Sequence, residues 1–293
     1  MTPTRLSMTI AVLLLLSCLS LLVAILLFVG HRLSRPEQHS IGSPPPMLQA
    51  DSVLLPTDTG GHVSGWFSSG SSGSGAVLLL HGVRGDRRAM LDRALFLHRA
   101  GFSTLLIDLP AHGESSGERI TFGKLEGAGV RAALAYLAQR LPDERIGVIG
   151  VSLGAAATVL ENPQPAPAAL VLESMYPTIE EALKDRLALH LGNWARALSP
   201  LLLCQLPWRT GVSAAELRPI EQLGRLRSPL LLVAGSEDRH TTLAETERLF
   251  AAAAEPKSLW IIQGAAHVDL HQIDRSAYES RVGGFLADHL TRR

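Results

Sequence analysis

Cysteine is almost absent from this chain, with Cys18 and Cys204 the only two in 293 residues. Two thiols, one of them inside an apolar N-terminus, build no disulfide framework, and the count leaves the redox compartment open. Charge of one sign is also missing. Lys and Arg number 27, as do Asp and Glu, so no basic excess points to nucleic acid. Charged residues make up only 18% against 46% hydrophobic, which excludes a disordered chain and suits a large core with a membrane segment. The sequence offers no metal-ligand cluster, no phosphate-cradling Gly-rich loop and no dinucleotide fingerprint, and no internal repeat. Its length fits one sizeable α/β domain with additions.

What is present begins with an apolar run. Between Arg5 and His31 no charged residue occurs, and Leu, Ile, Val and Ala dominate. At about 1.5 Å per residue, roughly 20 such residues cross a hydrocarbon core of about 30 Å. The run predicts an uncleaved single-pass anchor over residues 1–30, and so a membrane localisation. The rival is a signal peptide, whose apolar region is usually about 7–15 residues. Leu15-Leu16-Ser17-Cys18 resembles a lipoprotein cleavage site, yet the apolar run continues past Cys18. Arg5 on one side and Arg32 with Arg35 on the other leave the orientation open. Residues 31–50, with Ser, Gln and Pro44-Pro45-Pro46, read as a linker.

Residues 51–293 form the expected domain. Ser52–Pro56 and His62–Phe67 read as strands about a turn at Asp58-Thr59-Gly60-Gly61, suited to an antiparallel edge. Six short apolar runs then read as buried strands: Ala76–Leu80, Ser103–Ile107, Arg145–Ile149, Ala169–Leu172, Leu230–Ala234 and Ser258–Ile262. Helical patterns at Arg87–Ala100, Phe122–Leu141, Leu153–Glu161, Leu243–Ala254 and Arg275–Leu290 alternate with them. Continuous apolar strands alternating with helices predict a mostly parallel sheet covered on both faces. Residues 175–227 interrupt this rhythm with a helical pattern at Ile179–Leu198 and several prolines, and read as a cap inserted over the strand ends. The competing reading is a pair of ordinary helices packed on the core.

Gly150-Val151-Ser152-Leu153-Gly154 follows an apolar strand and opens a helix. That context predicts a nucleophile elbow, a strained strand-to-helix turn that exposes a serine, with glycines where backbone comes close. A hydroxyl is a poor nucleophile and needs a base, which itself needs an orienting acid. His267, in the loop after the last strand, is the expected base, with His271 its nearest rival. Asp238, after the Leu230–Ala234 strand, is the expected acid, with Glu173 the other candidate. The order Ser152, Asp238, His267 is the one this elbow motif carries. The oxyanion donors are expected to be the N–H groups of Leu153 and of Val83, the latter in His81-Gly82-Val83-Arg84-Gly85. Asp108 and His112 are read as structural turn residues.

From Ser52 onward these features occur in a family order. His81-Gly82, the segment Asp108–Ser115, the elbow, Gly235 to Asp238 and Gly264 to His267 together resemble the α/β-hydrolase superfamily. The likeness is to its branch of esterases, monoglyceride-lipase-like enzymes and membrane-anchored homologues. The resemblance implies an esterase-type serine hydrolase with no cofactor, acting on a small-molecule ester or lipid-like substrate. Two departures bear on substrate choice: Pro110-Ala111 stands where many relatives carry Arg-Gly, and Arg84 puts a charge in the oxyanion loop. The Leu-rich stretch Leu198–Leu206 with Trp208 is expected to form an apolar pocket. The alternatives are a peptidase, thioesterase, acyltransferase or cofactor-free peroxidase on the same triad, or a catalytically silent membrane-tethered binding module.

Overall fold

The computed structural model describes residues 3–292. The first two residues of the expected anchor lie outside the described residues. The chain opens with α1 (Pro3–Ser34), a two-residue strand β1 (Glu37–Gln38), β2 (Ala50–Pro56), β3 (His62–Ser68) and β4 (Ala76–Leu80). Then come α2 (Leu91–Arg99), β5 (Ser103–Ile107), the short β6 (His112–Gly113), α3 (Glu126–Arg140), β7 (Ile146–Val151), α4 (Leu153–Glu161) and β8 (Ala169–Glu173). The insertion holds α5 (Ile179–Leu191), a 3-10 segment over Asn193–Leu198, α6 (Ser199–Leu203) and α7 (Leu206–Thr210), followed by three short 3-10 turns. The chain closes with β9 (Leu230–Gly235), α8 (Leu243–Ala252), β10 (Lys257–Ile262), α9 (Leu270–Ile273) and α10 (Arg275–Leu290).

Eight strands make one sheet in the order β10-β9-β8-β7-β4-β5-β3-β2. The six from β10 to β5 are parallel, and β3 and β2 add an antiparallel edge. The reason is legible in the side chains. Successive residues of a strand face opposite sides of the sheet. Leu78, Val148, Leu172 and Leu232 therefore pack with Val130 and Leu137 of α3 on one face. Val77, Leu79, Ile149, Val171 and Val233 pack with Leu97 of α2 and Tyr278, Val282 and Leu286 of α10 on the other. Both faces are buried, so these strands have no polar alternation to show. This is the α/β-hydrolase fold, with a helical insertion between β8 and β9.

Besides shifts of a few residues at other element ends, three departures from the sequence reading have a clear physical reason. The helix expected over Phe122–Leu141 starts only at Glu126, because the buried Glu126 carboxylate turns back to accept from Thr121 N–H and Gly123 N–H at 2.8 Å each. The pattern at Ile179–Leu198 breaks at Gly192, whose φ of 90° ends α5. The third difference is the largest. Residues 31–50 are not a loose tether. α1 continues to Ser34, since His31 and Arg32 are polar without breaking a helix, and Pro36 is the first breaker. Beyond it β1 pairs in parallel with β6, Glu37 N–H donates to Ala111 O at 2.8 Å, and Leu48 is fully buried.

α1 is long and apolar enough to cross a membrane, over Met8–Ser34, and its side chains from Met8 to Leu22 are exposed. Its C-terminal turns are held differently. Gln205 Nε2 donates to Leu26 O at 3.1 Å, and Arg209 donates to Leu27 O at 2.7 Å. A Cβ on Gly30 would run into the end of the Gln205 side chain, so the glycine leaves room for that side chain against α1. Ser34 is buried, and its carbonyl accepts from Ile120 N–H at 2.9 Å.

Candidate active site

Ser152 stands at the end of β7 with φ 48° and ψ −103°, a backbone conformation that is strained for a side-chain-bearing residue. Its neighbours explain why the turn closes. A Cβ on Gly150 would lie 2.7 Å from Ala155 N, and one on Gly154 would lie 2.6 Å from Leu80 O. Only glycine fits at either position, and Gly154 brings α4 against the end of β4. The Leu153 N–H is the first of α4, where N–H groups have no partner within the helix.

The loop after β4 runs beside the serine: an ideal Cβ on Gly82 would sit 3.7 Å from Ser152 Cβ. His81 pins this loop. Its Nδ1 donates to Gly82 O at 2.7 Å and its Nε2 accepts from Leu109 N–H at 3.0 Å, which defines the neutral tautomer. Burial, and then the His112 ring beside it, pulls the His81 pKa down to about 3. Val83 and Leu153 line one pocket with Ser152.

Asp238, after β9, and His267, after β10, meet: Oδ2 lies 2.7 Å from Nδ1. Asp238 Oδ1 accepts from His240 N–H at 2.8 Å and Thr241 N–H at 2.9 Å. Burial pushes this carboxyl up, but the hydrogen bond and charge of His267, with those two N–H groups, outweigh it and hold it below the usual range. Ser152, Asp238 and His267 thus all sit beyond the C-terminal ends of parallel strands. Ser152 Oγ makes no hydrogen bond to His267 among the described residues. Such contacts are commonly long before substrate arrives.

The rivals are placed elsewhere. Glu173 is buried in a pair with Arg93, at 2.7 and 3.1 Å, and also accepts from Tyr278 OH. His271 is buried against Phe96 and reaches Glu279 at 3.2 Å. Asp108 accepts from Arg87 and from Glu114 N–H, the structural part expected of it. Arg93 also reaches Asp269 at 2.7 Å, so one guanidinium links the end of β8 to the loop that carries His267. The sequence reading missed this residue; a charge inside the α2 pattern was its only signal.

The pocket at Ser152 is walled by Ile179 and Leu183 of α5, Leu202 of α6, Leu206 of α7, and Gly30 and Leu33 of α1. The Leu-rich stretch therefore faces the pocket. Trp208 does not; it is exposed beneath Arg209, whose guanidinium lies 4.2 Å from its ring centre. The part played by α1 carried no sequence signal, since an apolar helix reads alike whether its end meets lipid or protein.

Fold and elbow together define an α/β hydrolase. The chain belongs to the alpha/beta hydrolase family, whose pattern matches residues 77–278. It is 34% identical over 241 residues to an uncharacterized protein of Mycobacterium tuberculosis, covering 80% of this chain and 79% of that one. The uncharacterized protein YqkD of Bacillus subtilis is 23% identical over 248 residues, covering 82% and 80%. Among solved structures, the Pyrococcus furiosus esterase Pf2001 superposes with a TM-score of 0.73 at 24% identity, covering 88% of this chain and 98% of that one. The family supports a hydrolase activity.

Proposed function

We propose that this protein is a membrane-anchored serine hydrolase that cleaves carboxylic esters through Ser152, His267 and Asp238. The observation that carries the reading is the 2.7 Å contact of Asp238 with His267 Nδ1, in loops on the same edge of the sheet as a strained Ser152. A histidine held through Nδ1 keeps Nε2 for the proton of a nucleophile. His267 takes the Ser152 proton as Oγ attacks the ester carbonyl. The N–H groups of Val83 and Leu153 stabilise the oxyanion, and losing one such donor typically costs about 3–4 kcal/mol. Protonated His267 then returns its proton to the leaving alcohol, and water repeats the cycle on the acyl-enzyme. No step calls for a cofactor.

Support for the anchor comes from α1. Its 32 residues measure about 48 Å at 1.5 Å each, more than a hydrocarbon core of about 30 Å. Trp208 is exposed on α7, the helix that meets the inner end of α1, a placement suited to an interfacial tryptophan. The name esterase belongs to the Pyrococcus furiosus protein, and its shared fold adds weight to an ester substrate here. Labelling of the full chain in detergent with a fluorophosphonate tests the reading. We expect labelling by the wild type and none by Ser152→Ala. An unlabelled, folded wild type would favour the membrane-tethered binding module.

A further inference from the structure

The pocket at Ser152 is mostly apolar, with Ser34, Tyr176 and Gln205 as further polar residues; three arginines, Arg84, Arg186 and Arg209, line it, and among the described residues no acidic one does. Two of the three are engaged. Arg84 pairs with Glu37 at 2.6 Å and donates to Arg32 O. Arg209 donates to Leu27 O and to Gln205 Oε1 and stacks on Trp208. Arg186, half-buried on α5, is different. Among the described residues it has no ion pair and no hydrogen bond; Arg84 and Tyr176 act on it, and its charge acts in turn on His240, whose ring lies 4.9 Å from that of His267.

A guanidinium in an apolar wall beside a second arginine is unfavourable unless something compensates it. Its planar fork matches a carboxylate or phosphate by two parallel hydrogen bonds, stronger than those between neutral groups. We propose that Arg186 is the anion-binding residue of the pocket, and that the ester cleaved at Ser152 is an amphiphile with one apolar chain and one anionic group. The apolar part lies among Leu183, Leu202 and Leu206, and the anion meets Arg186. This assignment rests on the hydrolase reading above and narrows its substrate class.

Two matched pairs of esters test it, with the full chain in detergent or nanodiscs. On the acyl side the pair is para-nitrophenyl pentanoate against mono-para-nitrophenyl glutarate, which adds a carboxylate. On the alcohol side it is monooleoylglycerol against oleoyl glycerol phosphate. We expect the wild type to favour the anionic member of one pair by about tenfold or more in kcat/KM. Arg186→Met should lower that ratio by about tenfold, and Arg186→Lys should keep part of it. The pair that shows the preference tells on which side of the ester the anion lies. Wild-type ratios at or below unity in both pairs, or a ratio that Arg186→Met leaves unchanged, would overturn the proposal. So would no turnover of all four esters by a protein whose Ser152 labels. Absent labelling would instead remove the hydrolase reading itself.

Discussion

Asp238 Oδ2 lies 2.7 Å from His267 Nδ1, while the other carboxylate oxygen accepts two backbone N–H groups of its own turn. The carboxylate is thus fixed at one end and orients the imidazole with the other. An amide in its place offers either an oxygen or an N–H to Nδ1, and the wrong choice reverses the histidine tautomer. Asp238→Asn should lower kcat by roughly three to four orders of magnitude and slow fluorophosphonate labelling in parallel. Stopped-flow or burst measurements on an activated ester check this, and a loss below tenfold would remove Asp238 from the triad.

Arg93 links Glu173 to Asp269, two residues from His267. Arg93→Met leaves a buried carboxylate without its cation, so it should destabilise the fold by about 3–5 kcal/mol in urea titration. Adding Glu173→Leu to that variant removes the orphaned charge and should recover much of the loss. If the double variant is no more stable than the single one, the pair is not where the stability resides.

A side chain at Gly30 would meet Gln205 and Arg209, whose side chains hold the Leu26 and Leu27 carbonyls. Gly30→Leu should push those side chains aside, crowd the pocket and raise KM for long-chain esters several-fold. Short-chain esters, which need less of this wall, should be less affected. A chain-length series on wild type and variant gives the answer, and parallel shifts at all lengths would count against a wall role for α1.

Glu245, at the start of α8, shares a buried site with Asp185 of α5. Burial, against the opposing Thr242 N–H, and then the Asp185 charge raise its pKa to about 7. A carboxyl whose folded pKa lies above its unfolded value binds its proton more tightly in the native state, so stability falls as pH rises from about 4.5 to about 7. Glu245→Gln keeps an acceptor for Thr242 N–H, which Glu245 Oε2 now receives at 2.7 Å. The variant should lose this slope and gain roughly 2 kcal/mol on the wild type between pH 5 and pH 8. Thermal melts of both proteins across that range decide, and parallel curves refute the assignment. His81 acts oppositely below about pH 6.5, its folded pKa being about 3, but equally in both proteins.

Much of this molecule was open to a reader of its sequence, and the reason is local. Buried parallel strands are unbroken apolar runs, so Ala76–Leu80 and Ser103–Ile107 coincide with β4 and β5. Ser152, Asp238 and His267 follow such strands directly, and so their loops could be assigned to one edge. What stayed hidden depends on residues far apart in the chain. Glu37 meets Arg84 across 47 positions, and Gln205 meets Leu26 across 179, with no periodicity to mark either. Arg186 reads as an ordinary polar position on an amphipathic helix, and what distinguishes it is the lack of a hydrogen bond or ion pair among the described residues. The family match covers residues 77–278 and so says nothing about α1.

The last turns of α1 are a wall of the pocket, and their Leu26 and Leu27 carbonyls accept further hydrogen bonds from Gln205, just before α7, and from Arg209 of α7. With α1 spanning a bilayer as proposed, that contact would fix the height of Ser152 relative to the lipid surface. Substrate would then be counted per lipid molecule rather than per litre. Diluting the proteoliposomes with buffer would leave the rate per enzyme unchanged, and diluting the substrate with inert lipid would lower it.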